Sequence, residues 1–509
     1  MNGKEYDYSM IEKNFVDYII NIAGPNEEVD EYRQSKISTI KQIINKGFMG
    51  EQDIIVHFFS FGSFPFKDYH KDSDIDVTVI LEDKKTNKLK PLYTCDSNRI
   101  LNNIEASLRS YFSQFFPDGY VERIDAKVKL IKCKFDGVSF DISINNFDGL
   151  SKLIFMHYLE NNYLDRYFYK KTIVLIKTWC YYEGCILGSN IGLLGSYALE
   201  ILVIYMFNIY SDKFTNEMDA FFTFFNLMSK VNWETQVLTI YGLFDINQLT
   251  NNYGLNLENL FKEYKFSEKE KIKYDQISEF VKQFERFNNF EKVNTNNKKV
   301  IQIGNNMHII DPIFNTYNLG KSVNFHNYSR IKELFLYISK KCNELVKSKM
   351  TNSITPSEYL NSLLNLFHNI VISSNSDLFK LSLPEPKIII LPSKNKGLTP
   401  SGNNKKENEE EILLQNFNNK HTIEKKLDIP ITENVIKNSN EISSMLWPSN
   451  GEIQNEQTLM DYYSLNISNV NYITKNIIEF FNNPHYKRYE FITSEDVKEI
   501  EEFEKNAII

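Results

Sequence analysis

The spacing of apolar and polar residues divides the first part of the chain into two helices followed by a set of strands. Residues 8–47 carry apolar side chains at helical intervals, and the turn Gly24-Pro25-Asn26 separates two amphipathic helices. Short runs of apolar–polar alternation follow, which predict half-buried strands. The predicted strands are Ile54–Phe61, Asp74–Leu81, Ala126–Cys133 and Val138–Ile144, with a charged loop at Glu82–Lys90 and a helix at Asn98–Phe116.

After about residue 150 the pattern becomes helical. The unbroken apolar run Tyr197–Tyr210 is typical of a buried helix. Residues 215–345 continue mainly helical, interrupted by a predicted short hairpin of Lys298–Ile303 and Met307–Ile310. Beyond residue 372, Ser, Asn, Lys and Glu predominate, and such a composition cannot bury enough apolar surface to fold. We therefore predict a disordered linker over residues 372–456 and a short helical segment of unknown role over residues 457–509.

This order of elements predicts an α+β protein. Residues 47–150 combine a mixed sheet with helices, and residues 151–350 form a mainly helical central domain. The helices within residues 1–46 are expected to pack on the central domain. A length of 509 residues agrees with about three domains, and the aromatic content of 14% supplies large side chains for their cores.

Charge and cysteine content narrow the class of protein. The formal net charge of −8 argues against nonspecific coating of nucleic acid but allows a local basic groove. The five cysteines form no C-x-x-C pair, so no zinc site is expected, and free thiols suit a reducing compartment. Neither a signal peptide nor an apolar run long enough to span a membrane is found. We expect an intracellular protein, nuclear or cytoplasmic, without a membrane partner.

A short segment around residue 70 carries the first residues that point to chemistry. Asp74 and Asp76 are separated by one residue, so both carboxylates project from the same face of a strand. Asp141 supplies a third outward carboxylate on the last predicted strand of this domain. Three clustered carboxylates suit two divalent ions, Mg²⁺ or Mn²⁺, of the kind that assist in-line displacement at phosphorus. The upstream Gly62-Ser63 turn can offer N–H groups and a hydroxyl to phosphate, which indicates an enzyme that handles a nucleoside triphosphate.

These residues resemble the nucleotidyltransferase motif of the DNA polymerase β superfamily, in its template-independent poly(A) and poly(U) polymerase branch. Further segments resemble other parts of this family, in the same order along the chain. These parts are the strands around the third aspartate, the central helical domain and the late nucleotide-recognition loop. The resembling segments are Phe61–Val77, Ala126–Asn145, Leu175–Glu183, Gly192–Leu199 and Asp311–Ser322. The resemblance covers about residues 10–345. It implies a polymerase-β-like catalytic domain over residues 47–150 and a poly(A)-polymerase/oligoadenylate-synthase-type substrate-binding domain over residues 151–350.

The resemblance implies a role for each matching residue. The catalytic and metal-binding triad would be Asp74, Asp76 and Asp141. The nucleotide-binding residues would be Gly62, Ser63, Lys177 and Ser196 at the phosphates, Tyr197 stacked on the base, and Asp311 and Asn318 in the loop lining the base and ribose. The implied reaction uses two Mg²⁺ or Mn²⁺ ions and transfers a nucleoside monophosphate from an NTP to an RNA 3′ end, releasing pyrophosphate.

Two positions depart from relatives that use UTP. Tyr181 stands where some uridylyl-transferring relatives carry a second phosphate-binding lysine, and Tyr317 stands where several strict UTP users carry histidine. Tyr317 is therefore the candidate base-selecting residue, and the resemblance favours ATP over UTP.

Two other functions stay open at this point. A signalling nucleotide synthase of the oligoadenylate or cyclic-dinucleotide type shares the acidic triad, although Asp311–Ser322 resembles the tailing enzymes better. A catalytically inactive RNA-binding scaffold would keep the fold and recruit protein partners through the disordered tail. The intact triad disfavours the scaffold, because clustered carboxylates are costly to keep without a cation.

Overall fold

The computed structural model of the chain describes residues 8–51, 53–85, 88–89, 94–125, 129–164, 166–210, 213–246, 267–282, 307–315 and 317–375. The predictions for Lys298–Ile303 and for residues 376–509 lie outside these residues. No helix within the described ranges is long and apolar enough to cross a membrane.

A mixed sheet forms the centre of the α/β domain. Its described strands are β1 (Ile54–Phe61), β2 (Ile75–Asp83), β3 (Lys88–Leu89), β4 (Tyr120–Ile124), β5 (Leu130–Phe135) and β6 (Val138–Ile144). The order across the sheet is β1-β2-β6-β5-β4, with the short β3 paired to β2. Strands β2 and β6 run parallel and the other neighbours run antiparallel.

Strand alternation gives the sheet a core face and an opposite face, called the open face here, on which Asp76 is partly exposed while Thr78 and Ile80 are buried. Ile75, Val77 and Val79 of β2 are fully buried in a cluster that also contains residues of α2 (Glu27–Gly47) and α4 (Thr94–Phe115). Because successive strand residues point to opposite faces, the residues between them project away from this core. The open face is where the predicted aspartates lie.

The second part of the molecule is mainly helical. Its helices are α1 (Ser9–Ala23), α5 (Phe147–Tyr163), α6 (Arg166–Thr178), α7 (Ser196–Tyr210), α8 (Glu217–Met228), α9 (Glu268–Lys282), α10 (Phe325–Met350), α11 (Pro356–Leu366) and α12 (His368–Asn375). The predicted buried helix is α7, in which all residues from Ala198 to Phe207 are buried. The helical part also contains a small hairpin, β7 (Gln236–Thr239) with β8 (Gly242–Asp245).

A buried polar network attaches the first helix, α1, to the helical part. Glu12 of α1 is 1% exposed and accepts hydrogen bonds from Lys349 Nζ at 2.6 Å, Tyr359 Oη at 2.5 Å and Asn216 Nδ2 at 2.9 Å. These donors come from α10, α11 and the residue that caps α8. A buried carboxylate is stable when it is paired and hydrogen-bonded in this way.

The predicted α+β architecture is confirmed, but the second N-terminal helix lies elsewhere than expected. The apolar face of α2 carries Ile37, Ile40, Ile43 and Ile44 into the core beneath the sheet. Helix α1 packs on helices of the central domain, whereas the buried isoleucines of α2 lie against the sheet and α4. Both helices show the same amphipathic period, and the period does not reveal which surface a helix covers.

Several strands also differ from the predictions. Strand β2 continues to Asp83 and pairs with β3, so part of the predicted loop Glu82–Lys90 is strand. The predicted strand Ala126–Cys133 is observed as Leu130–Phe135, and Ala126 to Val128 lie outside the described residues. Within Met307–Ile310, Ile309 pairs with Leu238 and Ile310 with Asn318. Strand β4 and the hairpin β7–β8 were not predicted, because their short runs lack a clear alternation.

Candidate active site

The three aspartates lie on adjacent strands of the open face. Asp76 of β2 stands opposite Asp141 of β6, and Asp74 directly precedes β2. Burial, with the nearby charges of Asp141 and Asp74, raises the pKa of Asp76 to about 8. Burial and the charge of Asp74 also raise the pKa of Asp141. Carboxylates whose pKa values are raised by one another are stabilised by a cation placed between them.

One lysine already supplies part of that positive charge. Lys132 of β5 lies opposite Asp141 in the sheet register. Its Nζ lies 2.6 Å from Asp74 Oδ2 and 3.3 Å from Asp141 Oδ1. Sequence reasoning did not select Lys132, although its place on the strand beside the third aspartate was a usable signal.

The donor chemistry of the triad fits magnesium or manganese, because these ions prefer carboxylate oxygens. Across the described residues, no three His, Cys, Asp or Glu side chains are already arranged as a set that could hold a metal ion. At the triad, Lys132 contacts two of the three aspartates, so a bound ion would have to displace its ammonium group. Asp74, Asp76 and Asp141 are the residues that would then hold the ion.

The turn after β1 lies directly against the triad. Gly62 has φ of 73° and ψ of −149°, a backbone conformation that is almost exclusive to glycine. A Cβ added at Gly62 would lie 2.5 Å from Asp76 Oδ2. The predicted phosphate turn and the predicted metal ligands are therefore parts of one site, and only glycine fits between them.

Substitution of Gly62 by alanine is expected to reduce nucleotide addition by about 10²-fold, because the added Cβ must displace the Asp76 carboxylate. The backbone strain should also lower the free energy of unfolding by about 1–3 kcal/mol. Gly137→Ala is the matched control, since Gly137 also has a positive φ (78°) and a Cβ there would meet nothing within 4 Å. Equal activity losses in the two variants, measured by primer extension beside urea unfolding, would contradict the role of Gly62.

The start of α7 supplies a second group of predicted residues. Ser196 is exposed, and the buried hydroxyl of Tyr197 has no hydrogen-bond partner among the described residues. Lys152 Nζ lies 4.9 Å from the centre of the Tyr197 ring and 5.8 Å from that of Phe314. Lys152 also pairs with Asp148 at 2.7 Å. Sequence reasoning missed Lys152, because the approach of α5 to α7 is a tertiary contact.

Lys177 is buried rather than open to the site. Its Nζ lies 2.7 Å from Asp68 Oδ2 and 2.6 Å from Glu200 Oε1, and the residue is 2% exposed. Burial disfavours the charge, but the two carboxylates outweigh burial and raise the pKa of Lys177. The ammonium group thus joins the loop after the short helix α3 (Ser63–Phe66) to helices α6 and α7, and its predicted contact with the triphosphate stays a prediction.

The predicted nucleotide-recognition loop separates into buried and exposed residues. Asp311 is 0% exposed and accepts backbone N–H groups of its own loop, and its Oδ2 lies 3.7 Å from Lys152 Nζ. Asn318 is 1% exposed, accepts from the N–H groups of Ile309 and Gly320 and donates to the Met307 carbonyl. Tyr317 between them is 40% exposed. The two polar residues shape the loop, and Tyr317 is the one with an accessible side chain.

Two family models match the chain over successive ranges. Residues 13–159 match "Poly(A) RNA polymerase, mitochondrial-like, central palm domain", and residues 164–369 match "PAP/OAS1 substrate-binding domain". The first range contains the aspartate triad and the second contains the start of α7 and the recognition loop. The chain belongs to the template-independent RNA nucleotidyltransferases. The predicted enzyme class is confirmed by these matches.

Solved structures similar to this nucleotidyltransferase include a poly(U) polymerase and the polymerase core of a complex. The Cid1 poly(U) polymerase with MgGTP bound is 14% identical, with a TM-score of 0.46 over 70% of this chain and 99% of that chain. The polymerase core of TRAMP, an RNA surveillance complex, is 16% identical, with a TM-score of 0.49 over 72% and 95% of the respective chains. No curated protein sequence matches the chain. The family assignment rests on the two domain models.

In this nucleotidyltransferase, the loop that leads to Asp74 is held by an arginine from outside the sheet. Arg33 of α2 is 3% exposed, and its guanidinium donates to the carbonyls of Lys71 at 3.0 Å and Ser73 at 2.6 Å. The guanidinium also lies over the Tyr69 ring at 4.7 Å. Since Ser73 directly precedes Asp74, Arg33 fixes the backbone from which the first triad carboxylate projects.

The same loop is attached to the helical part of the nucleotidyltransferase. The rings of His70 and Tyr181 lie 4.0 Å apart, and Tyr182 donates a hydrogen bond to Asp72. Burial and the nearby Lys177 lower the pKa of His70 to about 3, so this histidine is neutral at physiological pH. Tyr181, which stands where some relatives carry a phosphate-binding lysine, is thus part of an aromatic contact with the loop.

Proposed function

We propose that this nucleotidyltransferase adds nucleoside monophosphates from an NTP, with ATP preferred over UTP, to the 3′-hydroxyl of RNA in a reaction that depends on Mg²⁺ or Mn²⁺. The observation that carries the proposal is the contact between the triad and the phosphate turn, where Asp76 Oδ2 lies against Gly62. A carboxylate cluster in contact with a phosphate-binding turn supports chemistry at a nucleotide phosphorus.

The transfer is an in-line displacement at the α-phosphorus. The RNA 3′-oxygen forms a bond to this phosphorus as the bond to the pyrophosphate oxygen breaks, and the Asp141 carboxylate accepts the hydroxyl proton. Divalent ions held by the triad would lower the pKa of the hydroxyl and neutralise the triphosphate. The protein itself contributes mainly positioning and a preorganised field.

The nucleotide would lie between the sheet and the start of α7. Gly62 and Ser63 would bind the phosphates, Ser196 would donate to the triphosphate, and the base would stack on Tyr197. Lys152 lies over the same ring and could donate to the base or ribose. We propose that Asp311 and Asn318 act by shaping the loop that carries Tyr317, since both are buried and bonded within it.

Two observations support ATP as the preferred nucleotide substrate. Tyr181 is occupied by its contact with His70 and offers no ammonium group to phosphate. The model matching residues 13–159 is named for a poly(A) RNA polymerase. Both are consistent with the ATP preference that the sequence favours at Tyr317.

Replacement of Tyr317 by histidine is expected to shift the ratio of kcat/KM values from ATP toward UTP by about tenfold, because one added base contact is worth roughly 1–2 kcal/mol. Extension of one RNA with each NTP measures the ratio. Tyr337→His is the matched control, since Tyr337 is also 40% exposed but lies on α10. An unchanged ratio in Tyr317→His would refute base selection at this position.

The assay that tests the proposal supplies each NTP separately, with and without a labelled RNA oligonucleotide. Addition to the RNA 3′ end, with ATP most efficient, is the expected result. Short oligonucleotides or rings formed without RNA would instead identify a signalling nucleotide synthase. RNA binding without any nucleotide addition in Mg²⁺ or Mn²⁺ would identify a scaffold.

A further inference from the structure

The strands on the far side of the triad from the phosphate turn carry exposed positive and aromatic groups. On β5, Ile131, Cys133 and Phe135 are buried in the core, so Lys132 and Lys134 project from the open face. Tyr120 of β4 stands opposite Lys134 and is 42% exposed. One acidic residue, Glu122, shares this face opposite Lys132.

The order of the strands indicates which substrate comes to this side. The phosphate turn follows β1, the aspartates lie on β2 and β6, and β5 and β4 continue beyond them. In an in-line displacement the attacking oxygen and the leaving group lie on opposite sides of the phosphorus. If the pyrophosphate leaves toward the turn, the RNA 3′-hydroxyl approaches from the β5–β4 side, and the terminal phosphodiesters of the RNA follow it.

We infer that Lys132 is the residue that receives the RNA 3′ end, being released from Asp74 and Asp141 when these carboxylates hold metal ions. The inference rests on the proposed function and adds a substrate contact to it. In the structure the ammonium group lies 2.6 Å from the Asp74 carboxylate and 3.3 Å from the Asp141 carboxylate. Once displaced, the same group remains on the face that the RNA backbone approaches, where it can pair with a phosphodiester.

Release of Lys132 is tested first without any turnover. Lysines of the full chain are acetylated with a limiting reagent, with and without saturating Mn²⁺, and peptides are quantified by mass spectrometry. Lys132 should be protected by its ion pairs without metal and be modified at least several-fold faster with metal. Lys134 is the internal control, with the same rate in both conditions. Equal protection of Lys132 with and without Mn²⁺ would overturn the inference.

Metal affinity provides a second readout. Lys132→Met should bind Mn²⁺ about fivefold more tightly than the wild type, because metal binding no longer has to break the two ion pairs. Lys134→Met should change the affinity less than twofold. Free Mn²⁺ is measured by electron paramagnetic resonance, and circular dichroism in saturating Mn²⁺ verifies folding. An unchanged or weaker affinity in Lys132→Met would contradict the displacement.

The RNA contact is tested by the salt dependence of RNA binding, measured by fluorescence anisotropy with Mg²⁺ and without NTP. Loss of one phosphate contact in Lys132→Gln should reduce the slope of log K against log salt by about 0.7. Lys132→Arg should retain the slope, and Lys85→Gln, at an exposed lysine in the turn after β2, should not change it. An unchanged slope in Lys132→Gln would refute the contact, whether or not the enzyme extends RNA.

Discussion

Substitution of Asp76 by asparagine is expected to lower the rate of nucleotide addition by about 10³-fold or more, because metal assistance at phosphorus is worth several kcal/mol. The same change should leave the metal-free protein at least as stable as the wild type. Burial and the charges of Asp141 and Asp74 raise the pKa of Asp76 to about 8, so folding at neutral pH has to protonate this carboxyl group, a cost that an uncharged amide removes. Activity and thermal stability should thus move independently.

The prediction is checked by measuring single-turnover RNA extension and thermal unfolding on the same protein preparations. Asp118→Asn serves as the control, since Asp118 is exposed in the turn before β4 and is not one of the triad residues. It should match the wild type in both measurements. An Asp76→Asn enzyme that retains near-normal extension would remove Asp76 from the catalytic residues.

Replacement of Arg33 by methionine is expected to lower the free energy of unfolding by about 3 kcal/mol, since two hydrogen bonds from a charged donor to buried carbonyls are lost. The rate of nucleotide addition should fall by about 10²-fold under conditions where the variant is folded, because Asp74 loses its fixed backbone. Arg33→Lys should recover little of the lost stability or of the lost activity, because an ammonium group lacks the planar arrangement of donors that reaches both carbonyls.

Urea unfolding and extension below the unfolding transition separate the two effects. Arg109→Met is the matched control, since the Arg109 side chain is 55% exposed on α4 and forms its ion pair with Glu105 of the same helix. It should change stability by less than about 0.5 kcal/mol. A folded Arg33→Met enzyme with wild-type turnover would show that the loop needs no support from α2.

The parts of the site that could be predicted are those fixed by strand alternation. Asp74, Asp76 and Asp141 follow from the period of two, which puts Ile75, Ile142 and their neighbours in the core. Gly62 was predicted as part of a phosphate turn, but its contact with Asp76 depends on how β1 leads into α3.

The parts that could not be predicted depend on contacts between distant segments. The resemblance assigns Lys177 and Asn318 to nucleotide binding, and only the tertiary packing shows that both are buried among internal partners. Arg33 lies in a charged stretch that reads as a solvated helix face, and only the folding of the loop before Asp74 over α2 gives it a role. Lys132 could be placed on the strand beside the third aspartate, but its position directly opposite Asp141 required the register of β5 against β6, which alternation alone does not set.

The central claim is that the triad activates an RNA 3′-hydroxyl for attack on an NTP. The most direct measurement compares two labelled RNAs that differ only in their last sugar, one with a 3′-hydroxyl and one with a 3′-deoxyribose, incubated with the wild-type enzyme, ATP and Mg²⁺. We expect extension and stoichiometric pyrophosphate release with the first RNA and neither with the second. Pyrophosphate release that is equal for both RNAs, or absent for both, would contradict the account.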